Sequence, residues 1–100
     1  MKLTMHGYKE ETIKKYEMSM GDLILTICQG LITARKTDIE IRMVDCFSGG
    51  VSRWAGINGL LTHDWPADWR VTVFQASVMH DNKENVDYLK VIFSDDIEML

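Results

Sequence analysis

One segment limits what this chain can fold into more than any other. From Asp22 to Lys36, apolar side chains fall at positions 23, 24, 27, 28, 31 and 34, the recurrence of a helix with a single buried stripe. The rest of the patterned sequence alternates with period two or is broken by turn residues. A chain with one amphipathic helix and several half-buried strands has a natural two-layer solution, in which the helix stripe packs on one face of the sheet.

The start of that helix is written into the residues before it. Ser19-Met20-Gly21-Asp22 resembles a capping box with Asp in place of Glu or Gln, and Met18 and Leu23 stand where a hydrophobic staple needs them. Asp22 near the start and Arg35-Lys36 at the end suit the helix dipole. Before the cap, Tyr16, Met18 and Met20 alternate with Lys15, Glu17 and Ser19, which predicts a strand over 12–20. The i,i+4 pairs Glu10/Lys14 and Glu11/Lys15 would favour a helix there, but the cap at Ser19 favours the strand.

After the helix, Ile39, Ile41 and Met43 alternate with Glu40 and Arg42, predicting a strand that ends near Phe47 at the turn Ser48-Gly49-Gly50. Asn58-Gly59 is the dipeptide favoured in tight hairpins, so 51–57 and 60–65 are expected to pair as strands, with His63 in the second. Arg70 to Met79 and Val86 to Phe93 read as two further strands around the polar turn at 81–85, and 95–100 as a short tail. The expected fold is therefore α+β and two-layered, one main helix on a mostly antiparallel sheet of four to six strands, with residues 1–100 as one domain. In such a fold half of the sheet's far face stays uncovered unless a loop or a second copy packs there.

Composition narrows the function classes. The chain has 100 residues, 46% of them hydrophobic and 26% charged, enough apolar content for one core. A folded chain of this size buries only roughly 60–65% of its unfolded surface. The longest apolar run, 23–28, is interrupted by Thr26, short of a membrane span. With no apolar leader at the N-terminus and two cysteines in apolar surroundings, a cytoplasmic protein with reduced thiols is expected. The net charge is −4, and the excess acid lies in the second half. Basic residues are not clustered as phosphate contacts require, so no nucleic-acid partner is expected. An acidic half instead suits a protein partner with a basic surface.

Catalytic constellations are weak. Three histidines far apart in sequence give no compact ligand motif, so no metal site and no cofactor are expected. Cys46 with His63 and Asp64 is the sharpest enzymatic combination. Yet Asp45 beside Cys46 opposes a thiolate, and Asp64 is poorly placed to orient the adjacent ring. No Gly-x-Ser-x-Gly turn or phosphate-binding loop occurs.

What stands out is the run Arg53-Trp54 to Trp65-Pro66-Ala67-Asp68-Trp69-Arg70, which holds all three tryptophans. Tryptophan and arginine dominate binding hot spots because they offer a large rigid area with a polar handle. Arg53, Trp54, Asp64, Trp65, Asp68, Trp69 and Arg70 are therefore the expected partner-binding residues, with Trp65, next to the only proline, first among them. The reading that follows is a small protein-interaction module, of the inhibitor or neutralising kind seen in immunity proteins, antitoxins and phage antagonists. A homo-oligomeric structural or small-ligand-binding domain, for instance a homodimer, is the second reading, and an enzyme using Cys46 and His63 the third.

Overall fold

The computed structural model describes residues 16–46 and 48–94. Its elements are β1 (Tyr16–Ser19), α1 (Met20–Thr33), β2 (Glu40–Asp45), β3 (Gly50–Ala55), α2 (Gly56–Leu61), β4 (Arg70–Asp81) and β5 (Val86–Ser94). The expected strand residues 12–15 and the tail 95–100 lie outside the described residues.

Helix α1 begins where the sequence places it. Ser19 is extended, and its Oγ accepts a hydrogen bond from the Asp22 amide at 3.1 Å, satisfying one of the donors orphaned at a helix start. Leu23, Ile24, Ile27, Cys28 and Leu31 are buried, and Gln29 is exposed. The helix stops at Thr33, short of the expected Lys36. Arg35 adopts φ +58, the Arg35 amide donates to Ile32 O at 3.0 Å, and the Lys36 amide donates to Leu31 O at 2.8 Å. These two bonds close a Schellman motif with arginine where glycine is usual.

The five strands form one sheet in the order β1-β4-β5-β2-β3. Three neighbouring pairs are antiparallel and one, β2 with β5, is parallel. β1 and β2 consequently run parallel, and α1 carries the chain between them past β4 and β5. The β2–β3 hairpin closes with Asp45 opposite Gly50, as Ser48-Gly49-Gly50 implies. In β4 the register slips between Val73 and Gln75. Phe74 is the extra residue of this bulge, which resets the alternation. Val71, Val73 and Ala76 can therefore all face the core.

The structure corrects the expected hairpin at Asn58-Gly59. Residues 56–61 are helix α2, with Ile57 and Leu60, three residues apart, buried in the core. Gly56 makes this turn possible. It sits at φ +80, and a Cβ there would lie 2.7 Å from Thr37 O, the acceptor of the Ile57 amide. His63 accordingly follows a helix and does not sit in a strand. The buried side chains of both helices and of one sheet face form a single cluster, with Met20, Leu23, Ile27, Ile41, Leu60, Val71, Val73 and Val91 the most enclosed.

Candidate partner-binding surface

The segment 53–70 divides among three environments. Strand alternation separates its first two residues, because Trp54 lies opposite Ile41 on the core side and Arg53 opposite Arg42 on the other face. Trp54, His63 and Trp65 gather beside α2. The His63 ring centre lies 4.4 Å from that of Trp65 and 5.1 Å from that of Trp54, and the two indoles are 5.6 Å apart, edge to face. Trp54 and Trp65 are half-buried against the core. Trp65 Nε1 donates to Leu60 O at 2.9 Å, whereas the buried Trp54 Nε1 has no acceptor among the described residues. These two tryptophans are pinned.

Trp69 is different. It is 39% exposed on a loop whose backbone is held in place. The Trp69 amide donates to Pro66 O at 3.0 Å, Trp69 O accepts from the Met20 amide at 2.6 Å, and Ala67 O accepts from the Gly21 amide at 2.9 Å. Gly21 permits this contact with the first turn of α1, since a Cβ there would come within 3.1 Å of Ala67 O. Asp64, Asp68 and Arg70 are exposed on the same segment. The loop thus presents one large aromatic side chain among charges of both signs.

Arg53 belongs to a charge network on the opposite sheet face. Glu40 accepts from Arg42 Nε at 2.9 Å and from Arg53 Nε, Arg42 also reaches Asp81 at 2.9 Å, and Arg53 Nη2 reaches Glu84 at 2.7 Å. The Arg42 guanidinium lies 3.9 Å above the centre of the Tyr88 ring. The bonds from Arg53 and Arg42 hold the Glu40 carboxyl down to about 2. Asp81 is lowered by the Glu84 amide and by Arg42. Sequence reasoning missed this network. Glu40 and Arg42 share a strand parity that was legible, but Arg53, Asp81 and Glu84 join them only through strand register.

The two cysteines part company. Cys28 is buried in α1, and burial pushes its thiol up. Cys46 is exposed in the turn after β2. His63 packs on Trp54, which pairs with Ile41 near the other end of that strand. The length of β2 therefore separates Cys46 from His63, by roughly 17 Å at strand rise. Among the described residues, no three His, Cys, Asp or Glu side chains are grouped to hold a metal ion, and no helix is long and apolar enough to cross a membrane.

The chain matches no protein-family model, no curated protein and no solved structure.

Proposed function

We infer that this domain acts by binding another protein, as an inhibitor or neutralising partner, through the surface of the 62–70 loop. The observation that supports this reading is the exposure of Trp69 on a backbone fixed by three hydrogen bonds. A large rigid side chain on a pre-ordered loop loses little entropy when a partner covers it. Asp64, Asp68 and Arg70 supply a polar rim, and the carboxylates suit a basic partner. Trp69 takes the central role that the sequence alone gave to Trp65, because Trp65 is already occupied in donating to Leu60 O and in an edge contact with Trp54.

The test is a paired affinity capture from the native host with wild type and Trp69→Ala as baits, read by mass spectrometry. A protein retained by the first and lost from the second, with the variant still folded at the temperature of the capture, supports the reading. Identical captures from both baits sink it. Asp64→Asn and Asp68→Asn are expected to slow association in low salt and to matter less as salt rises.

A further inference from the structure

Trp69 is held where two elements meet. Its amide closes a turn on Pro66 O, and the Met20 and Gly21 amides fasten that turn to the start of α1. Asp22 and Asp68 each stand one residue from the Gly21–Ala67 contact, so separate parts of the chain bring two carboxylates to one place. Both residues are exposed, and among the described residues neither carboxylate takes part in an ion pair or a hydrogen bond. Glu17 on β1 and Asp64 in the loop are exposed as well, and Arg70 is the only arginine or lysine between 62 and 70. Acid therefore outnumbers base around Trp69.

The opposite sheet face shows what such groups accept. There Arg42 lies over the Tyr88 ring and donates to Glu40 and Asp81, while Arg53 donates to Glu40 and Glu84. Ring, carboxylates and guanidinium all come from the chain itself. Around Trp69 the ring and the carboxylates are again together, but among the described residues no guanidinium of the chain joins them.

We propose that the partner supplies it: an arginine whose guanidinium stacks on the Trp69 indole and donates to Asp68 and Asp22. The inference rests on the reading of the 62–70 loop as the binding surface and names the group that surface recognises. An indole face attracts a cation through its quadrupole. Arginine suits this site better than lysine, because a planar, weakly hydrated guanidinium lies on the ring while its in-plane N–H groups reach carboxylates. The positive end of the α1 dipole opposes a cation here, and Asp22 in the first turn offsets it. An apolar side chain would strip water from both carboxylates without replacing it, and an acidic one would meet like charge.

The experiment titrates the full chain with three capped tripeptides, glycine-X-glycine, in which X is arginine, lysine or citrulline, the uncharged isostere of arginine. The readout is the Trp69 indole N–H resonance, assigned by its loss in Trp69→Ala. The arginine peptide should move it and leave the Trp65 indole, which donates to Leu60 O, in place. The lysine peptide should bind about threefold more weakly and citrulline more weakly still. Asp68→Asn and Asp22→Asn should each weaken the arginine peptide about threefold at low salt and less as salt rises. Equal responses to arginine and citrulline, an unmoved Trp69 resonance, or binding indifferent to both aspartates would overturn the proposal. So would slow exchange of the Trp69 indole N–H with water in the free chain, which would show the ring already covered. Any of these results beside a capture that depends on Trp69 defeats the arginine inference alone, whereas captures identical for wild type and Trp69→Ala defeat the loop reading and this inference with it.

Discussion

The two faces of the sheet are built from the same strands by different physics. On one face Ile41, Met43, Val71, Val73, Leu89 and Val91 are buried beneath α1 and α2. On the other, alternate residues of β2 and β3 hold Glu40, Arg42 and Arg53 in an ion-pair network with Asp81 and Glu84. The first face is held by apolar burial, which depends on shape. The second is held by ion pairs, which depend on charge state and salt. A single residue of strand register decides which regime a side chain belongs to, as Arg53 and Trp54 show.

The largest expected effect lies on the covered face. Ile27→Ala removes a side chain that is 1% exposed and should cost about 3 kcal/mol in denaturant unfolding, through lost burial and an unfilled cavity. A cost within about 0.5 kcal/mol, as is usual for surface positions, would break the distinction between the faces. Trp65→Ala should follow at about 2 kcal/mol, because the indole is only half-buried but its loss also strips Leu60 O of a partner. Trp69→Ala should cost less, about 1 kcal/mol, because more of the indole is exposed and it makes no hydrogen bond like that of Trp65 to Leu60 O, and equal losses at the two positions would erase the contrast between the pinned and the presented tryptophan.

The network face should respond to acid. Glu40 is lowered from the usual 4.5 to about 2 by Arg53 and Arg42, so the folded state holds its proton less tightly than the unfolded chain. Its contribution is complete above the unfolded value and is lost as pH falls through about 2. Glu40→Gln should therefore melt lower than wild type at neutral pH, with the gap closing as pH falls from 4.5 towards 2. Salt should shrink the gap too, since Arg53 and Glu84 are about half exposed. A gap independent of pH would assign Glu40 a packing role. The smallest effect is a gain. Arg35→Gly relieves a left-handed residue at the end of α1 and should add about 0.5–1 kcal/mol, visible as a higher melting temperature.

Much of this is legible in the sequence. The cap at Ser19 is a local hydrogen-bond pattern and the stripe from Leu23 to Leu31 a local periodicity, and the structure has both; Ala34, the last expected residue of the stripe, is exposed at the helix end. The end of α1 is less legible, because arginine at φ +58 leaves no signature in residue type. Asn58-Gly59 misled because its dipeptide preference concerns an isolated turn. The close approach of Gly56 to Thr37, from a distant part of the chain, overrode it. The spacing of Ile57 and Leu60 was the available signal for a helix there. At the candidate surface, the clustering of Trp and Arg was visible, but proximity in sequence hid three separate environments.

The sequence by itself determined the fold class of this protein, one helix cap, the strands around the 81–85 turn and the apolar stripe that α1 buries. Each rests on interactions between residues within a few positions of one another, or on a period that any solvent-exposed sheet or helix imposes. The tertiary structure alone decided the strand order, the parallel pairing of β2 with β5, the ion-pair network and the difference between Trp65 and Trp69. Those depend on which backbone groups meet across long stretches of chain, and hydrophobic burial, being non-directional, does not specify that from composition or pattern.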